Sequence, residues 1–148
     1  MFSLQTIFGQ GKQFYSLLND AAVAAHDSTV ALHQMLKSPE RTPALEAFKL
    51  ARQREREASD KISQALVDSF ITPIEREDIE SLASALYKIP KQVERFADRF
   101  ALARHRLEDI DFPPRAAMLE QAAAVVVEMV GELGHLRLEP MKELNDQL

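Results

Sequence analysis

Along most of the chain, apolar residues return every three or four positions, and the long stretches that do so are separated by short breaks built on proline. This spacing gathers apolar side chains on one face of a helix, and no stretch shows the period-two alternation of a strand. Ser38-Pro39-Glu40-Arg41-Thr42-Pro43, Thr72-Pro73 and Asp111-Phe112-Pro113-Pro114 supply the breaks. The glycines, Gly9, Gly11, Gly131 and Gly134, leave the middle of the chain without the most permissive breaker. The pattern predicts helices over about 12–37, 43–69, 73–109 and 114–139, with Pro140 disturbing the end of the last. Connectors this short join antiparallel neighbours, so the expected fold class is all-α: one domain over 1–148, an antiparallel bundle of four long helices.

The third helix carries the clearest start. Thr72-Pro73-Ile74-Glu75 has the form of a capping box, with Pro73 at the first helical position and Glu75, Glu77, Asp78 and Glu80 near the positive end of the helix dipole. Ile79, Leu82, Leu86, Ile89, Val93, Phe96, Phe100, Ala103 and Leu107 then follow alternating steps of three and four, the spacing of a coiled-coil seam. Pro90 falls beside this seam, which resumes in the same register after it, so a bend near Leu86 is expected rather than a stop.

The first helix contributes Phe14, Leu17, Leu18, Leu32 and Met35 to the expected core, with Ala21, Ala22, Ala24 and Ala25 permitting close approach. The second contributes Leu45, Phe48, Ala51, Ala58, Ile62, Leu66 and Phe70. The fourth is apolar nearly all round between Ala122 and Val127 and calls for burial on more than one side. Three neighbours in one chain do not supply that, so a homo-oligomer through helix 4 is expected.

Composition narrows the chemistry. The 148 residues are 46% hydrophobic and 28% charged, with a formal net charge of -5, a balance that disfavours a general nucleic-acid binder. The absence of cysteine excludes disulfides, thiol catalysis and cysteine-ligated metals. The longest apolar run is far too short to span a bilayer, and the N-terminus lacks the basic and apolar regions of a signal peptide, so a cytoplasmic protein is expected. There is no nucleophile elbow and no phosphate-binding glycine loop, which points away from an enzyme.

Few residues remain that carry site chemistry. Glu132-Leu133-Gly134-His135 has the Glu-x-x-His step of di-iron bundles without the second copy such a site requires. His26 and His33 share a face two turns apart, too few ligands for a metal by themselves. On helix 2 the apolar steps Phe48, Ala51, Glu55, Ala58 and Ile62 put the Glu55 carboxylate on the seam, where it must find a cation, a metal or water. Glu55, Glu57 and Asp60 are the candidate metal ligands, for a divalent or trivalent ion, and ordinary intrahelical salt bridges such as Glu57 with Lys61 are the alternative account of the run; no other cofactor is expected. On helix 3, Lys88, Lys91, Arg95 and Arg99 recur away from the seam and form a basic ribbon on the outer face, which docks an acidic partner, holds phosphate or is simply a solvated face.

The string Phe70-Ile71-Thr72-Pro73-Ile74-Glu75-Arg76-Glu77-Asp78-Ile79, followed by Leu82-Ala83-Ser84-Ala85-Leu86, resembles the signature of PhoU-like phosphate-transport regulators. The branch it is most similar to comprises accessory proteins of Pit-type phosphate transporters. The Phe14-Tyr15-Ser16-Leu17-Leu18 opening of helix 1 and the carboxylates of helix 2 fit as well, so the resemblance covers about 14–107. It implies a helical bundle that regulates or adapts a phosphate transporter at the membrane face, with no membrane span of its own. Relatives bind metal ions through acidic pairs four residues apart. Here Tyr87-Lys88-Ile89-Pro90-Lys91 stands where many relatives are acidic, Glu57 and Asp60 lie three apart, and Ser59 stands four after Glu55. These departures suggest that Lys88 and Lys91 supply in fixed form the charge that metals supply in relatives, by pairing with helix 2 carboxylates or binding phosphate. Relatives also continue into two further helices, in keeping with an incompletely covered helix 4. The alternatives to an adaptor are a metal-binding bundle that uses the helix 2 carboxylates and a structural helical dimer.

Overall fold

The computed structural model describes the backbone of residues 4–38 and 45–135, with side chains from residue 11 in the first segment and residue 46 in the second. Four α-helices follow one another: α1 (Leu4–Lys37), α2 (Leu45–Asp68), α3 (Arg76–Ala103) and α4 (Pro113–Glu132). A short 3-10 turn, Arg104–Arg106, closes α3, and no strand occurs among the described residues. The protein is an all-α bundle.

Neighbours along the chain run antiparallel. One end of the bundle gathers Phe14, Ile62 and Ile79 and the other Leu32, Phe48 and Phe100, which sets α2 antiparallel to α1 and to α3, while His33 against Glu120 and Asn19 against Gly131 set α4 antiparallel to α1. α1 is the hub. It packs on all three other helices, α2 and α3 pack on each other, and the backbones of α3 and α4 do not approach one another. The buried stripe Ala21, Ala22, Ala24 and Ala25 makes this central position possible, because small side chains let helices come close on two sides.

Several boundaries differ from those the sequence predicts. α1 begins at Leu4 rather than near residue 12, since Gly9 and Gly11 each cost only about 1 kcal/mol in a helix and do not stop it. A side-chain carbon at Gly11 would meet Pro73 at 3.5 Å, so the helix passes close to the α2–α3 connector there. The expected start of helix 2 at Pro43 lies outside the described residues, as do residues 136–139 of the expected helix 4.

The capping box at Thr72 does not form. Its hydroxyl donates to the carbonyl of Ile74 at 2.7 Å, and the helix starts three residues later than Pro73, with Glu75 as an N-cap that makes no side-chain bond. The reason lies in Arg76, which donates to the carbonyls of Leu66, at 2.5 Å, and Ser69. Those groups belong to the last turn of α2 and the residue after it, where carbonyls lack helical partners, so the connector folds to satisfy the end of α2 rather than the start of α3. At its far end α3 tightens at Arg104 and does not reach residue 109.

The buried seam of α3 is also rotated from the expected one. Ile79, Leu86, Val93 and Phe100 are buried as predicted, but the intervening buried positions are Ala83, Pro90 and Ala97 rather than Leu82, Ile89 and Phe96. The small residues take the closest approach, and the large ones pack at the flanks. Pro90 therefore sits inside the interface and the helix runs through it unbroken.

Two apolar clusters result. One joins Phe14, Leu18, Ile62, Leu66, Ile79 and Leu86; the other joins Leu32, Leu36, Phe48, Val93, Phe100 and Ala116. Phe112 stacks edge-on against Phe96 and Phe100, with ring centroids 5.7 and 5.4 Å away, and ties the start of α4 to α3. Leu86→Ala should lower stability by about 2–5 kcal/mol in urea unfolding, because its whole side chain leaves a cavity. Leu82→Ala, at the flank of the seam, should cost clearly less; equal costs would return Leu82 to the seam.

Candidate functional site

Between the two apolar clusters the interior turns polar. On α1 this level holds Ser28 and Thr29, both buried, whose hydroxyls donate back to the carbonyls of Ala25 and His26 at 2.6 and 2.7 Å. On α2 it holds Arg52 and Glu55, and Glu55 is 0% exposed. The seam spacing put a carboxylate here, and the same spacing supplies its cation one turn earlier. Arg52 Nη1 donates to Glu55 Oε2 at 3.3 Å.

Arg52 then reaches α3. Its Nε lies 3.3 Å from Glu94 Oε2, close enough for an ion pair though without hydrogen-bond alignment, and Nη2 donates to the Tyr87 hydroxyl at 3.5 Å. The guanidinium carbon stands 5.0 Å from the centre of the Tyr87 ring, and Lys91 Nζ stands 5.6 Å from it. One phenol ring thus lies beside two cations. Burial pushes the Glu55 carboxyl above its ordinary value of 4.5; Arg52 and Arg56 pull against that shift and Asp60 adds to it. The hydrogen bond from Arg52, with the charge behind it, lowers the Tyr87 phenol. Among the described residues Glu55 Oε1 has no hydrogen-bond partner.

The predicted metal ligands do not converge. Glu55 points inward to Arg52, Glu57 is exposed and accepts from Gln53 Nε2 at 2.9 Å, and Asp60 is exposed. Among the described residues no group of three or more His, Asp or Glu side chains gathers for an ion. The expected pairing of Lys88 and Lys91 with helix 2 carboxylates is replaced by an Arg52 pairing that sequence reasoning passed over. His33 does not join His26; its Nδ1 lies 2.5 Å from Glu120 Oε2 and ties α1 to α4. Glu132 and His135 are both exposed at the end of α4.

The basic ribbon is where the sequence puts it. Lys88, Arg95 and Arg99 are exposed and Lys91 is half-buried, on the face of α3 opposite Leu86, Pro90, Val93 and Ala97. Among the described residues none of the four forms an ion pair. Lys88 also stands on the rim of an apolar groove of about 530 Å³, opened by the separation of α3 from α4 and walled by Leu36, Ile89, Phe96, Phe112 and Leu119. Arg115 of α4 is the second cation on that rim. The arrangement places positive charge beside apolar surface.

Comparisons with family models, with curated proteins and with solved structures return no match for this chain.

Arg52→Met leaves Glu55 buried without its cation and should cost about 3–5 kcal/mol at neutral pH. Part of that loss should return in acid, when Glu55 takes up a proton. The carboxyl also sets a pH dependence of its own. The folded state holds the Glu55 proton to higher pH than the unfolded chain does, so stability falls as pH rises from 4.5 through the folded value. Glu55→Gln removes this slope, and its melting temperature should gain on the wild type across that window. A difference that stays constant with pH would show that the carboxyl is not raised.

Proposed function

We propose that this protein is a non-enzymatic regulator or adaptor of inorganic phosphate transport, engaging a Pit-type transporter from the cytoplasmic side. The observation that carries the reading is the α3 ribbon. Lys88, Lys91, Arg95 and Arg99 form a basic face on an acidic protein, and among the described residues no carboxylate of the bundle neutralises them. A structural helix face usually mixes its charges, whereas a ribbon of one sign is complementary to an acidic partner or to phosphate. The resemblance of the 70–86 stretch to PhoU-like regulators supplies the phosphate-transport context.

Contact with the transporter would be peripheral. No helix among the described residues is long and apolar enough to cross a membrane. The apolar groove next to Lys88 supports the same reading, since charge alone steers an encounter while buried apolar area holds the complex. Glu55 and Arg52 belong to the interior that keeps α3 in place and would not meet the partner.

The test is a tagged capture from detergent-solubilised native membranes. The wild-type chain should retain a phosphate permease. The Lys88→Ala/Lys91→Ala variant should lose it several-fold with its circular dichroism unchanged, and raised salt should act in the same direction by screening exposed charge. Permease capture that survives both removal of the lysines and high salt would overturn the role of the ribbon, and absence of any permease from the wild-type capture would overturn the adaptor reading.

A further inference from the structure

α4 has two apolar lines, and α1 covers only one of them. Ala116, Ala123 and Val130, spaced by seven, are buried against α1. Arg115, Met118, Ala122, Val125, Met129 and Glu132 follow steps of three, four, three, four and three on another side, and every one of them is exposed. Met118, Val125 and Met129 keep 70%, 52% and 65% of their surface open. Neither α2 nor α3 packs its backbone against α4, so this line has no cover among the described residues. Steps of three and four are the heptad spacing of a helix that pairs with another helix.

We infer that the line pairs with itself: two copies of the chain associate through α4, antiparallel, about a twofold axis between Ala122 and Val125. Charge decides the occupant and the direction. With that centre, Ala122 faces Val125 of the second copy, Met118 faces Met129, and Arg115 faces Glu132. The apolar layers fall in the middle, and an oppositely charged pair closes each end. A parallel pairing would instead set Arg115 on Arg115 and Glu132 on Glu132. Among the described residues neither Arg115 nor Glu132 has an ion-pair partner within its own chain; Arg115 donates only to the carbonyl of Asp111 at 3.3 Å.

The surface is therefore complementary to its own copy, as a twofold interface must be. The six positions span about 26 Å of helix. Leu119, 41% exposed, and half-buried Val126 widen the apolar strip on one side, while Gln121 and Glu128 give the other a polar edge. The α3 ribbon plays no part in this pairing, although Arg115 and Leu119 also line the groove beside Lys88.

Sedimentation equilibrium on the full chain over a wide concentration range tests it. The wild type should dimerise, and Val125→Glu should weaken association about tenfold or more with helicity retained, since Val125 is not part of the internal core. Charge substitutions test the register without touching apolar residues. An Arg115→Glu chain carries carboxylates at both ends of the line and a Glu132→Arg chain carries guanidinium groups, so each should self-associate more weakly than wild type. Mixed one to one, they should form a heterodimer in preference to either homodimer. A wild type that stays monomeric, a dimer unaffected by Val125→Glu, or a mixture without heterodimer preference would each overturn the proposal.

Discussion

The fold is organised around a carboxylate that cannot reach water. Glu55 lies at the level where the interior passes from one apolar cluster to the other, and an ionised carboxylate is costly there unless a cation meets it. Arg52 meets it from the same helix, donates to the Tyr87 hydroxyl of α3, lies over that ring and forms an ion pair with Glu94. That shared use of one guanidinium sets the register of α2 against α3. A slide of one turn, about 5.4 Å, would carry Glu94 and Tyr87 out of its reach.

This polar level explains why the core is divided. Large apolar residues cannot occupy the space around Glu55 and Arg52, and α1 answers with alanines, a serine and a threonine at the same height. The hydroxyls of Ser28 and Thr29 turn back on their own helix and are satisfied there. With small residues along it, α1 can serve as the central helix and accept α2 and α3 on one side and α4 on the other. The consequence is a gap between α3 and α4, bridged by the Phe96, Phe100 and Phe112 rings at one end and lined by apolar side chains along its length.

Charge is segregated by the same construction. The carboxylate of α2 is neutralised internally, which leaves the cations of α3 free to face outward as a ribbon of one sign. The ribbon adjoins the groove through Lys88, and the groove adjoins the outer line of α4 through Arg115 and Leu119. A partner seated in the groove and a second copy on α4 would therefore meet at Arg115 and Leu119.

Sequence periodicity alone determined that the chain is helical, that prolines separate four segments, that Glu55 lies on an inward face and that Lys88, Lys91, Arg95 and Arg99 lie on an outward one. These depend on the geometry of a single helix, in which 3.6 residues per turn assign every side chain to a side. Tertiary structure decided the rest. Which of Leu82 or Ala83, and of Phe96 or Ala97, entered the α3 seam depended on how closely neighbouring backbones approached. Thr72 lost its cap because Arg76 found unpaired carbonyls at the end of another helix. Glu55 takes its cation from Arg52 one turn away on its own helix, whereas the approach of α3, which no spacing along one helix encodes, decided that Glu94 and Tyr87 are the α3 groups that meet that guanidinium.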